Sequence, residues 1–358
     1  MAPLLTAWAP ARVNLIGEHT DYSGGLVLPA AIQLGITTAV DALSDSVVLT
    51  STKLGPGEPF APDGSGAPVT GWARYGQAVA AELAALGRPP AGLTATIDST
   101  VPAGAGLSSS AALEVSIALA LCAAADFELE LLQLALACQR AELRAVGKPC
   151  GILDQAASVL GRPGTAILLD CATLEYRFVP VPTEAALLVV DSGVEHSDET
   201  PGYAQRRREL EQALELVGAT RSTEVSPAQL DGLDALSAKR LRHVVSENRR
   251  VLDFAAALEE RDLAEAGRLL LAGHASLRDD YEVSIPELDL LVELAGGAGA
   301  YGARLLGGGF GGSIIALVDA ERANEIGSAV TSAYRDRTGR DVESLTARPS
   351  AGAEVRRR

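Results

Sequence analysis

The segment that most limits the fold is a strand, a glycine loop and a helix placed end to end. Leu93–Ser99 reads as a strand, residues 101–107 are Val-Pro-Ala-Gly-Ala-Gly-Leu, and Ser108, Ser109 and Ser110 open a helix reaching about Ala124. A helix start leaves its first backbone N–H groups unpaired and carries the positive end of the helix dipole. With glycines before it and small side chains around it, such a start can close on an anion. An ordinary N-cap needs one serine, not three behind a glycine loop. The loop lacks the Gly-Lys-Ser/Thr ending of a Walker A loop, which excludes that kind of nucleotide hydrolase. Nor is it a G-x-G-x-x-G loop, because position 109 is Ser. That pattern does occur at Gly307, Gly309 and Gly312, but the stretch 313–319 after it reads as a strand. A dinucleotide loop must open a helix, so a turn between the strands Arg304–Leu306 and Ile314–Val318 is expected there.

At 358 residues the chain exceeds one ordinary core of ~100–200 residues, and two domains are expected. The first part mixes strands (Leu26–Ala30, Leu34–Val40, Val47–Thr50, Ala166–Asp170) with helices (Trp72–Leu86, Leu129–Leu143, Ile152–Leu160). Residues 55–71, rich in Pro and Gly, read as a surface connection. After a strand at Leu187–Asp191 the pattern turns helical, at 203–217, 238–259, 262–278, 286–296 and about 320–336. The interruption Val-Pro-Val-Pro-Thr-Glu at 179–184 puts the boundary between domains of residues 1–182 and 183–358. Aromatics are only 4%, so the cores must be built from Ala, Val, Leu and Ile. The basic end, Arg356–Arg358, is expected to be frayed and solvated.

The net charge of −16, from 30 Lys and Arg against 46 Asp and Glu, argues against a nucleic-acid partner. It does not exclude one phosphorylated small molecule. No stretch approaches ~18 uninterrupted apolar residues, and no basic start leads into an apolar run of signal length. A cytoplasmic chain with no membrane partner is expected. None of the four cysteines forms a Cys-x-x-Cys pair, so buried free thiols are expected, not a zinc site.

Two further clusters carry chemistry. Residues 9–25 hold Arg12, Glu18, His19, Asp21 and Tyr22 after the apolar pair Leu15–Ile16, with Gly17, Gly24 and Gly25 around them. Clustered carboxylates with a histidine suit a polyol, whose hydroxyls donate to carboxylates and accept from an imidazole. A second reading makes Glu18 and Asp21 metal ligands. The other cluster is Glu142 with Gly-Ile-Leu-Asp-Gln at 151–155, where Asp154 stands at a helix start. Alone it reads as a carboxylate favoured by the dipole. Together the clusters supply an anion cradle, a metal ligand, an acidic group for an acceptor hydroxyl and a cation, the parts of a phosphoryl-transfer site.

These residues resemble a known family. Ala-Arg-Val-Asn-Leu-Ile-Gly-Glu-His-Thr-Asp-Tyr-Ser-Gly-Gly at 11–25 is similar to the galactokinase signature. The loop at 101–114 and the glycine run at 305–313 resemble the phosphate loop and C-terminal motif of the wider GHMP kinase superfamily. The segments 149–158, 196–210 and 276–289 also resemble galactokinase, so the likeness runs from about residue 8 to 318 in the expected order. Ser23 stands where Asn is usual, and Leu153 where Met is common.

The resemblance implies an α+β chain with the two-domain GHMP kinase fold. Each domain would be a mixed or antiparallel sheet with helices, and the active site would lie in the cleft between them. It implies ATP-dependent phosphorylation of α-D-galactose at O1 by a monomer. Asp154 would be the catalytic aspartate with Arg12 beside it. Glu18, His19, Asp21, Gly151 and Tyr203 would bind the sugar. Gly104, Ala105, Gly106, Leu107, Ser108, Ser109 and Ser110 would cradle the ATP phosphates, and Ser110 and Glu142 would hold Mg²⁺. Other sugar kinases of the superfamily, for arabinose or N-acetylgalactosamine, and a non-catalytic sugar and ATP sensor are the competing readings. The sensor fits less well because Arg12, Ser108–Ser110 and Asp154 are all intact.

Overall fold

The computed structural model describes residues 3–102, 104–147, 150–194 and 202–358. Ala103 of the glycine loop, Lys148 and Pro149 before Cys150, and residues 195–201 of the 196–210 segment lie outside the described residues.

Nine α-helices are present among the described residues: α1 (Ala73–Ala85), α2 (Ser109–Ala124), α3 (Leu131–Val146), α4 (Leu153–Leu160), α5 (Gly202–Leu216), α6 (Ala235–Glu259), α7 (Leu263–Asp279), α8 (Pro286–Gly297) and α9 (Ala323–Thr338). A six-stranded mixed sheet has the spatial order Glu354–Arg357, Leu5–Asn14, Pro29–Ser44, Gly92–Ser99, Val47–Ser51 and Gly55–Pro56. Its pairs are antiparallel except that of Val47–Ser51 with Gly92–Ser99. A second, antiparallel sheet has the order Gly302–Leu306, Ser313–Asp319, Ala185–Asp191, Ser344–Ala347. A small antiparallel sheet joins Leu26–Val27, Thr165–Asp170 and Tyr176–Pro180.

Two cores of mainly Ala, Val, Leu and Ile form, as the scarcity of aromatics requires: one spans the first sheet and one face of the second (Leu187, Val189, Ile315, Leu317), the other lies on the second sheet's opposite face. Helices α2 and α4 pack on Leu5–Asn14 and Pro29–Ser44, while α7, α8 and α9 cover the second sheet. Ten of the sixteen residues of α2 are buried, the mark of a helix enclosed by its neighbours.

Pro10 lacks an amide hydrogen, and the pairing of Leu5–Asn14 with Pro29–Ser44 shifts register between Pro10 and Arg12. The Ser158 hydroxyl donates to the freed Pro10 carbonyl at 2.7 Å, which ties α4 to the strand. The Arg12 amide donates to the Leu107 carbonyl at 3.1 Å, which ties the glycine loop to the same place. The end of one strand and the starts of α2 and α4 are therefore brought to one point.

The basic tail is not frayed: residues 354–357 pair with Leu5–Trp8, and Arg357 pairs with Asp126 at 2.7 Å. We propose the division at 182/183 for the body of the chain, with this last strand returning to the first sheet. The 307–312 run is a turn between two antiparallel strands. Among the described residues no helix is long and apolar enough to cross a membrane.

Candidate active site

Asp154, in the first turn of α4, is held from two sides. Arg12 Nε donates to its Oδ1 at 2.6 Å, and the Ser108 hydroxyl donates to its Oδ2. Arg12 also donates from Nη1 to the Gly106 carbonyl at 2.8 Å. Because the Ser108 hydroxyl is spent on the carboxylate, no side chain caps the start of α2. Its backbone pays for this geometry, since Ser108 has φ +54°. His19 and Phe310 share this left-handed conformation, at φ +64° and +60°. Along the loop, Gly104, Gly106 and Ser109 are exposed, whereas Ala105 and Leu107 are buried. The buried pair anchors the loop: the Ala105 carbonyl accepts from the Ser313 hydroxyl at 3.0 Å and the Leu107 carbonyl from Arg12.

In the first turn of α2, the Ser110 hydroxyl donates to Glu142 Oε1 at 2.9 Å. Glu142 Oε2 accepts from Gln155 Nε2 at 2.7 Å and from the Cys150 thiol. Gln155 Nε2 also reaches Glu114 Oε2 at 3.2 Å. Burial and then the Glu142 charge push Glu114 up to about 10, so it is a neutral acid near pH 7. Burial and then Asp154 raise Glu142 as well.

Asp21 opens a short turn, Asp21–Ser23, that packs against Gly151. A Cβ at residue 151 would stand 1.8 Å from Asp21 Oδ2, so only glycine leaves the carboxylate where it is. A cavity of about 410 Å³, bordered by Asp21, Gln139, Gly151 and Arg207, opens beside it. Burial, then the nearby Asp154 charge, raise Asp21 from its ordinary 3.8 to about 6. The Tyr203 ring, in the first turn of α5, lies 5.6 Å from that of His19 and 5.7 Å from that of Tyr22. His19 is buried, and burial, then His243, hold it down at about 3, so the ring is neutral. Its Nδ1 pairs with the Tyr22 hydroxyl at 2.9 Å, and no hydrogen bond closes on Nε2 among the described residues.

Glu18 lies beneath this surface. Its Oε2 accepts from Asn14 Nδ2 at 2.5 Å and Arg304 Nη2 at 2.7 Å, and its Oε1 accepts from the Gly307 amide at 3.0 Å. The structure thus brings Arg12, Ser108 and Asp154 into one contact set, Ser110 and Glu142 into a second, and Asp21 with Gly151 into a third. His19 and Tyr203 stand side by side. Glu18 is engaged by groups of the protein itself.

The sequence reading gives no role to Arg304, Glu247, Glu114 or Gln155. A signal existed for two of them: Glu114 follows Ser110 by four residues, hence shares its helix face, and Arg304 is a lone charge in an apolar strand. His243 and His274 are buried; the first pairs with Ser276 and the second with Asp289. Arg206 and Arg207 pair with Glu209 and Glu211, as a charged helix start does.

The raised Asp21 pKa has a stability consequence. The folded form holds the proton more tightly than the unfolded chain, so this group's stabilisation is present below pH 3.8 and lost as pH rises through about 6. Asp21→Asn is expected to raise the melting temperature by a few degrees (about 1–2 kcal/mol) at pH 8 and leave it unchanged near pH 4. A gain of the same size at both pH values would refute this origin.

The strand, glycine loop and helix, with a second glycine turn closing on the back of that loop, define a GHMP kinase. Residues 74–162 match the model of the GHMP kinases N terminal domain and residues 254–336 that of the GHMP kinases C terminal domain. Residues 2–42 match the galactokinase galactose-binding signature. The chain is 42% identical to galactokinase of Chloroflexus aurantiacus, over 98% of this chain and 93% of that one. It is 40% identical to galactokinase of Pyrococcus furiosus, over 98% and 99%. The crystal structure of Lactococcus lactis galactokinase complexed with galactose superposes with a TM-score of 0.92 at 34% identity, covering 98% of this chain and 95% of that one. The chain belongs to the galactokinase family.

Proposed function

We propose that the chain transfers the γ-phosphoryl group of ATP to the anomeric hydroxyl of α-D-galactose, giving galactose 1-phosphate and ADP. The observation that carries this reading is Asp154, oriented by Arg12 and Ser108 between an uncapped helix start and the Asp21–Gly151 contact. An anion cradle on one side and a polyol-binding set on the other is what joining a nucleotide to a sugar requires.

Each oxygen of Asp154 keeps a lone pair after its contact with Arg12 or Ser108, and one of these accepts the O1 hydroxyl hydrogen. The O1 lone pair then forms the new bond to the γ-phosphorus as the bridging P–O bond breaks and its electrons leave with ADP. Arg12, already fixed on Asp154 and the loop carbonyl, offsets negative charge near the transferring group. Gly104, Gly106, Ser109 and the first amides of α2 receive the phosphates. Glu18, His19, Asp21, Tyr203 and the Gly151 backbone bind the sugar hydroxyls, Glu18 through a carboxyl that also fixes the loop from below.

The residues present fit Mg²⁺. The Asp154 charge acts on each of Asp21, Glu114 and Glu142, an excess of acidic groups that a divalent cation offsets, with Arg12 as the protein cation paired to Asp154. No cluster of three or more His, Cys, Asp or Glu ready to hold a metal occurs among the described residues. That suits an ion carried mainly by nucleotide phosphates and water, to which Ser110 and Glu142 would add two oxygens. When bound, Mg²⁺ neutralises phosphate charge as it builds.

The test is coupled ADP release with a panel of sugars. Galactose is expected to support turnover well above a no-sugar control. Glucose, its C4 epimer, is expected to be worse by about 10⁴ in kcat/KM, because a buried polar group loses its partner. Equal rates for the two sugars, or preference for arabinose or N-acetylgalactosamine, would replace the substrate assignment. No sugar-dependent ADP at all would favour the sensor.

A further inference from the structure

Arg304 lies in the strand Gly302–Leu306, fully buried and outside every motif that points to catalysis. Its guanidinium spans two buried carboxylates, donating from Nη2 to Glu18 at 2.7 Å and from Nη1 to Glu247 Oε1 at 3.0 Å. Glu247, on α6, also accepts from the Gly17 amide at 3.0 Å and from Arg250 Nε at 2.7 Å. Glu18 accepts from the Gly307 amide, and its own carbonyl pairs with His243 Nε2 at 3.1 Å. Two carboxyls and two guanidiniums meet in this cluster; despite its burial, Arg304 and Arg250 hold Glu247 ionised, whereas burial outweighs Arg304 at Glu18 and raises it to about 7. The backbone at 17, 18 and 307 is pegged to it.

A buried ion cluster of this kind is weak evidence for stability, since apolar replacements often fold as well. What it does provide is geometric definition. The first peg sets the start of the 17–25 loop, which carries His19 and Asp21. The second sets the start of the 307–312 turn. Behind that turn, the Ser313 hydroxyl holds the Ala105 carbonyl of the phosphate loop. Lysine would keep the charge but lose the planar fork whose two ends reach separate carboxyls, so it replaces arginine only in part.

We infer that Arg304, backed by Glu247, is a positioning residue for the sugar site: it holds Glu18 and with it the loop that presents His19 and Asp21. The effect falls mainly on galactose, because the phosphate loop, although touched by Ser313, is also held at its Gly106 and Leu107 carbonyls by Arg12, outside this cluster.

The experiment compares wild type with Arg304→Lys, Arg304→Met and Glu247→Gln, reading KM for galactose, KM for ATP, kcat and melting temperature. Arg304→Met is expected to raise the galactose KM by about 10–10² with the ATP KM within about threefold, the scale of one lost charged hydrogen bond. Arg304→Lys should recover part of that loss, and Glu247→Gln should show a smaller rise of the same selectivity. Equal rises in both KM values would overturn the role, as would an unchanged galactose KM in a folded Arg304 variant. If neither Arg304 variant folds, Glu247→Gln decides by the same criterion. The inference rests on the galactokinase reading, and the two fail differently. Absence of galactose-dependent ADP release in the wild type sinks that reading, whereas normal wild-type turnover with unselective variants sinks the positioning role alone.

Discussion

Asp154→Asn is expected to lower kcat by about 10²–10⁴ while the affinities for galactose and nucleotide stay within a few-fold. The substitution keeps the side-chain volume and one oxygen, so either Arg12 or Ser108 retains its partner. It removes the carboxylate that would take the O1 proton. A thousandfold loss corresponds to about 4 kcal/mol of transition-state stabilisation, more than a single charged hydrogen bond of about 1.5–3 kcal/mol supplies. The size of the loss therefore separates a group that acts on the hydroxyl from one that only braces Arg12. Binding by calorimetry and turnover by ADP release check both halves. A variant with nearly normal kcat would remove Asp154 from the chemistry.

Gly151→Ala is expected to lower kcat/KM for galactose by about 10²–10³, because an acceptor displaced by about 1 Å loses its near-attack geometry. The added methyl would meet the Asp21 carboxylate at 1.8 Å, its Cγ at 2.4 Å and its Cβ at 2.7 Å. Rotating the carboxylate alone cannot relieve all three, so either the 17–25 loop or the start of α4 must move. Nucleotide affinity should change by less than about threefold, since Gly104–Ser110 is anchored elsewhere. Equal loss of both substrates would mean that α4 had moved as a whole and would assign residue 151 to the fold. Retained galactose kcat/KM would show that the Asp21 position is not set here.

Much of this site was legible because its chemistry is local in sequence. The glycine loop and its serines, the 11–25 segment and the Asp154 helix start each announce themselves by residue type and spacing. What joins them was not. Leu5–Asn14 is a full strand, yet Pro10 and its alanines hide it, since a proline inside a strand ordinarily argues against one. The long strand Pro29–Ser44 was read as two pieces, Leu26–Ala30 and Leu34–Val40, because polar Gln33 and Gly35 interrupt its apolar pattern. The buried ion cluster is hidden for another reason: Arg304 stands out as a lone charge in an apolar strand, but Glu18 and Glu247 are more than fifty residues from it and nothing local marks them as its partners. Glu18 shows the difference: its neighbours in sequence point to a sugar contact, and only the fold adds its partners in space, an arginine, an asparagine and a backbone amide.

The pairing of residues 354–357 with Leu5–Trp8 has a consequence for the order of synthesis. A ribosome finishes the helices and strands of the first 182 residues well before the strand that covers their sheet exists. At about 5–20 residues per second, the intervening stretch of about 170 residues takes roughly 10–35 s to emerge. During that interval the outer edge of Leu5–Asn14 has no partner, and the backbone of Ala31, Gly161 and Ser158 lacks the segment 350–353 that later bonds to it. The nascent first unit is thus a sheet with an open edge, the form most able to pair with another chain. Closure comes only when residues 354–357 have been made, so the strand that presents Arg12 to Asp154 gains this neighbour long after its own synthesis.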